Sequence, residues 1–154
     1  MKNPYSCISR VYVILSIIFL IVGFLIYIFF RNTNIIFYTW IGDILSGSVL
    51  FNMRYTGALP PCLHVITGSL PDGLWVLSGI MFLRVLWRDN PAKGGGCVWW
   101  FCMLAFSLEL MQMSERFPGT FDIYDLCFMA AAAAVERVFF QKAGGIWNKP
   151  PPFV

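Results

Sequence analysis

Two spacings in the chain bring groups together that could do chemistry. In Glu109-Leu110-Met111-Gln112 a carboxylate and a carboxamide stand three residues apart, and Arg116 follows one turn beyond. On a helix these three side chains share one face. Asp122-Ile123-Tyr124-Asp125 repeats the three-residue spacing with two carboxylates, and Asp72 stands alone after Pro71. Carboxylates grouped in this way can accept hydrogen bonds from an amine or a sugar. They can also work as an acid/base pair if their surroundings separate their pKa values, or hold Mg²⁺ or Ca²⁺ through oxygen. Arg116 adds a group that meets phosphate or carboxylate. Because acids outnumber it, a cationic or sugar-rich ligand suits the set better than an anion.

Other catalytic signatures are missing. Cys7, Cys62, Cys97, Cys102 and Cys127 form no CxxC pair, and the single histidine, His64, sits in a Pro-flanked stretch. A zinc site needs about four ligands at suitable spacing, so no metal motif and no cofactor are expected. Ser107, Ser114, Cys102 and Cys127 have no histidine placed to activate them, so no nucleophile stands out. The cysteines read as small buried hydrophobes. Whether the chain is an enzyme stays open.

Each acid also has a plainer reading. Asp122 fits a helix N-cap and Asp125 the positive end of a helix dipole, and Asp72 allows the same explanation. Gln112 and Arg116 suit a membrane interface, and Glu109 an interhelical hydrogen bond. Glu115 and Glu136 read as solvated acids at helix ends, and Arg84 as a cation snorkelling to the interface.

The elements that position these groups must be membrane helices. Hydrophobic residues make up 58% of the 154 and charged residues only 12%, where soluble domains carry about 25% charged. The first span, Val11 to Phe30, holds no charge and is long enough to cross about 30 Å of hydrocarbon. It lacks the small-residue cleavage site of a signal peptide. A second span is expected at 70–87, with Ser69 as its N-cap and Pro71 in its first turn. The stretch RDNPAKGGG should break the chain after it. A third is expected at 97–114, a turn at Pro118-Gly119, and a fourth at 122–140, whose Ala130–Ala134 run permits close helix approach. The chain is thus expected to be an all-α membrane protein in a single domain covering 1–154, with 141–154 an irregular cytoplasmic tail.

Residues 35–52 are apolar but contain Asp43. Charge asymmetry decides their placement. With four spans and a cytoplasmic N-terminus, Lys2, Arg10, Arg84, Arg88, Lys93, Arg137, Lys142 and Lys149 collect inside, against Arg31, Arg54 and Arg116 outside. A fifth span at 35–52 would reverse that majority. This segment is therefore read as an outer interfacial helix, and both termini as cytoplasmic. The topology sends Asp72, Glu109, Gln112, Arg116, Asp122 and Asp125 to the outer side of the cytoplasmic (inner) membrane. A carboxylate inside a span costs about 2.5 kcal/mol or more and usually faces a bundle interior or a wet cavity, which makes Glu109 the sharpest signal.

This order of motifs resembles the VanZ-like membrane proteins. Leu70-Pro71-Asp72 opens one span, Glu109-Leu110-Met111-Gln112 lies in the next, and Gly119 to Asp125 opens the last, with Arg116 ahead of the acidic pair. The likeness covers about residues 70–140. The chain departs from the family pattern after Asp72, where Gly73 stands in place of a lysine, and after Asp125, where Met129 and the alanine run replace Asn and Gly. The resemblance implies a role at the cell envelope, in a family linked with resistance to lipophilic glycopeptide antibiotics. The partners it implies are membrane lipids, an envelope precursor or a lipophilic drug, with no nucleic acid, and with a homo-oligomer or membrane complex as an open arrangement. A small accessory subunit, in which the acids only lock helices together, is the competing reading.

Overall fold

An uninterrupted apolar run with no helix breaker gives the first helix, α1 (Pro4–Phe30), which starts earlier than its apolar core requires. The computed structural model describes the backbone of residues 4–30, 55, 57–114, 116–117 and 120–147. The proposed interfacial helix at 35–52, Glu115, the Pro118-Gly119 turn and residues 148–154 lie outside the described residues.

Helix α2 (Pro61–Leu86) opens with a proline at its first position, where a missing N–H costs nothing. It therefore begins nine residues before the expected 70–87 span. Ser69 is not its N-cap, and Pro71 lies inside the helix. A proline there removes one backbone hydrogen bond, which membrane helices tolerate when neighbouring groups satisfy what is freed. Helix α3 (Pro91–Met111) likewise starts on a proline, and the Asn90 side chain caps it by accepting the Lys93 N–H at 3.2 Å. RDNPAKGGG is thus a helix start rather than a break at its glycines, and the expected span 97–114 is displaced toward the N-terminus. Helix α4 (Ile123–Trp147) runs on through residues 141–147, in place of the irregular tail expected there.

Among the described residues the chain is all-helical, with no strand. Three helices, not the four expected, are long and apolar enough to cross a membrane: Ser9–Phe30 of α1, Pro61–Leu86 and Pro91–Met111. Helix α4 is long enough, but Asp125, Glu136 and Arg137 interrupt its apolar sequence. The protein is membrane-embedded, and its surface shows why. Ile14, Ile17, Leu20, Ile21, Leu104, Leu108 and Trp100 are exposed, whereas Ser9, Ser16, Ser69, Ser78, Glu109, Asp125 and Glu136 are buried. In water that distribution would expose a continuous apolar patch; in lipid it is favourable.

Close approaches fix the packing. Ser16 Oγ donates to the Ser78 carbonyl at 3.0 Å, and Ser78 Oγ donates to the Ser16 carbonyl at 2.8 Å, a reciprocal pair joining α1 to α2. Trp75 lies over Gly23 of α1 and packs against Tyr27 at 5.2 Å between ring centroids. At Gly73 of α2 the backbone of α4 comes so near that an added Cβ would sit 2.9 Å from the Phe128 carbonyl oxygen. The contact of Gly73 with Phe128, then of Arg84 with Glu136, shows α2 and α4 running parallel. Phe101 of α3 covers Gly79, and Gly94 meets Trp87, so α3 runs antiparallel to α2. Val76, Ile80, Met129 and Ala132 form the buried apolar centre.

Candidate functional site

This packing brings most of the sequence-predicted polar residues to one end of the bundle. With Phe101 opposite Gly79 in an antiparallel pair, Glu109 falls level with Asp72, about two turns along each helix. Asp122 and Asp125 open α4 beside the end of α3. Asp72 and Asp122 are half-buried, Glu109 is 4% exposed and Asp125 only 1%.

Glu109 holds the α3–α4 connection. Its Oε2 accepts from Gln112 Nε2 at 2.9 Å, and its Oε1 accepts from the backbone N–H of Asp122 at 3.2 Å. The first bond is the i, i+3 contact that the spacing promises. The second joins two helices. Asp122 Oδ1 in turn accepts the Tyr124 N–H at 2.9 Å, as an N-cap does for the first turn of its helix. In an ordinary capping box the helix's own third residue satisfies the N-cap amide. Here a carboxylate from the preceding helix does it, which welds the end of α3 to the start of α4. Glu109 therefore has the structural interhelical role that its plainer reading allowed, and Asp122 is a cap.

Arg116 stands apart. It is exposed, and its backbone N–H points at Ser114 Oγ, 3.5 Å away. The grouped side chains are thus acids and one amide. Ser107 spends its hydroxyl on the Met103 carbonyl at 2.7 Å, and His64 is exposed at the start of α2. Among the described residues no three of His, Cys, Asp and Glu converge to hold a metal ion.

A second polar centre was not foreseen. Arg84 of α2 and Glu136 of α4 form an ion pair, Nε to Oε1 at 3.1 Å, with Glu136 buried and Arg84 nearly so. Glu136 is not a solvated helix-end acid, and Arg84 does not snorkel to water. Tyr12 of α1 and Cys102 of α3 lie within electrostatic reach of both charges. The centre lies at the opposite end of the bundle from Glu109. Sequence carried one usable signal: the four-helix topology already places Arg84 and Glu136 toward the same membrane face.

Comparison with protein-family models, with curated proteins and with solved structures finds no match to this chain.

Proposed function

We propose that the chain is an integral protein of the cytoplasmic membrane, similar in plan to the VanZ-like proteins. In this reading it binds at its outer face the hydroxyl- or amine-bearing part of an envelope lipid, a lipid-linked precursor or a lipophilic glycopeptide. The observation that carries it is the gathering of Asp72, Glu109, Asp122 and Asp125 at one end of the bundle while Arg116 stays outside. Carboxylate acceptors of this kind suit hydroxyl and amine donors. Helix α4 then crosses the membrane as a fourth span, with Asp125 and Glu136 turned inward and Arg84 balancing one of them.

One observation favours a second reading. Both oxygens of Glu109 already hold protein donors, as they would in an accessory subunit whose acids serve only the fold. Native mass spectrometry of the gently extracted protein separates the two. On the binding reading a specific lipid or precursor accompanies the wild type, is lost in Asp72→Asn, and is kept in Arg116→Ala. The same bulk lipids in all three, with the fold intact, would leave the accessory subunit as the account.

A further inference from the structure

We propose that the uncovered face of α2 between α1 and α3 seats an anionic phospholipid, with an acyl chain over Phe82 and Leu86 and the phosphate at Arg10 and Lys93. The starting point is α2 itself. Three helices pack against it: α1 at Ser78, α3 at Gly79, and α4 at Gly73 and Arg84. Even so, Phe82 is 54% exposed and Leu86 is 63% exposed.

The helix geometry shows where that strip runs. Counted from Ser78 at about 100° per residue, Phe82 falls at about 40°, Leu86 at about 80° and Gly79 at about 100°. Both apolar side chains therefore lie between the line of α1 and the line of α3, away from Arg84 and α4. Helix α3 turns a matching side to them. Its Gly95 faces α4, since an added Cβ there would sit 3.9 Å from Nη1 of Arg84, the partner of Glu136. Lys93, Trp100 and Leu104 stand on the other side of the Gly94 and Phe101 contacts with α2, and all three are exposed. They wall the strip that Phe82 and Leu86 floor.

The mouth of this groove is basic. Gly94 meets Trp87, the C-cap of α2, so Lys93 stands just beyond the helix end. Ser16 meets Ser78 and Gly23 meets Trp75, so α1 runs antiparallel to α2 and Arg10 comes level with Arg84. Arg10, Arg88 and Lys93, all exposed, thus fall within about one turn, or ~6 Å, along the bundle. Among the described residues no acid pairs with Arg10 or Lys93. Asp89 lies 3.6 Å from Arg88 but is itself almost fully exposed.

Lysine and arginine meet phosphate through charge-assisted hydrogen bonds, and basic residues at a membrane surface draw anionic headgroups. The apolar strip leading inward from these cations selects a lipid over soluble phosphate. The site lies at the opposite end of the bundle from Asp72 and Glu109 and takes the opposite chemistry. It needs only a membrane-embedded chain and does not depend on the binding proposed above.

The test places the purified protein in phosphatidylcholine vesicles with a minor share of a probe lipid carrying a photoactivatable acyl chain. The probe is phosphatidylglycerol or phosphatidylcholine, and peptide mass spectrometry reads where it attaches. Phe82, Leu86 and Trp100 are expected to be labelled about fivefold more heavily by the phosphatidylglycerol probe. Ile14, Ile18 and Val138, exposed on other faces, should show no such excess. Arg10→Gln with Lys93→Gln should abolish the excess, and both changes are at exposed positions that leave the core intact. Inorganic phosphate at matched ionic strength should not reduce it. Equal labelling by the two probes, an excess spread over all lipid-facing residues, or an excess unchanged in the double variant would overturn the proposal. Loss of the excess to inorganic phosphate would overturn the assignment to lipid.

Discussion

Glu109 shows how one carboxylate can be both a sequence signal and a fold device. Its pairing with Gln112 is local and legible from spacing. Its bond to the Asp122 amide crosses a turn, and nothing in the spacing announces it. Glu109→Ala removes the acceptor for both donors, so it should destabilise the protein by about 1–3 kcal/mol. Glu109→Gln should stay within about 1 kcal/mol of wild type. The new amide can still accept from Asp122, and Gln112 can turn its own oxygen toward it. Reversible unfolding in mixed micelles measures both. Equal losses in the two variants would mean that the charge itself, rather than hydrogen bonding, holds the turn. Residue identity misled elsewhere. Ser69 looked like a cap because a proline followed it closely, yet Pro61 supplies the start and Ser69 is buried mid-helix. Arg116 belonged to the polar face by spacing alone; α3 ends at Met111, so the helical face does not continue to it.

Helix pairs carry the next level. Helices α1 and α2 meet through small residues and reciprocal serine bonds, as membrane packing favours. Helices α2 and α4 meet at Gly73, midway along α2, and again at an ion pair near the C-terminal end of α2. The Arg84–Glu136 pair joins residues 52 positions apart, and sequence periodicity cannot see across that distance. Removing one partner strands a charge in a low-dielectric interior, so Arg84→Ala or Glu136→Ala should each cost about 3–5 kcal/mol. Replacing both, as Arg84→Met with Glu136→Leu, should restore stability to within about 1 kcal/mol of wild type, since apolar groups of similar size satisfy each other there. Single losses below about 1 kcal/mol would show that water reaches the pair. The helix types and their order were readable from the hydropathy pattern. Their starts were not, because Pro61 and Pro91 act as first-turn residues where proline more often signals a break.

At the scale of the whole molecule, an apolar exterior surrounds buried serines and acids. That inversion was legible in composition. The fourth span was not settled by composition, because α4 carries Asp125, Glu136 and Arg137. Its burial against α2 supplies the reason it can still lie in lipid: Asp125 and Glu136 face the bundle, and only Arg137 of the three is exposed. The proposed reading has α4 cross the membrane, with both polar centres inside it and the Glu109 end at the outer face. Single cysteines in a variant lacking Cys7, Cys62, Cys97, Cys102 and Cys127 test this directly, using a membrane-impermeant thiol reagent on intact cells. Cysteines at Gly57 and Thr120 should be labelled from outside, and cysteines at Asp89 and Lys149 only after the membrane is opened. Labelling of Thr120 and Lys149 from the same side would contradict the account, because α4 would then lie along the membrane rather than across it.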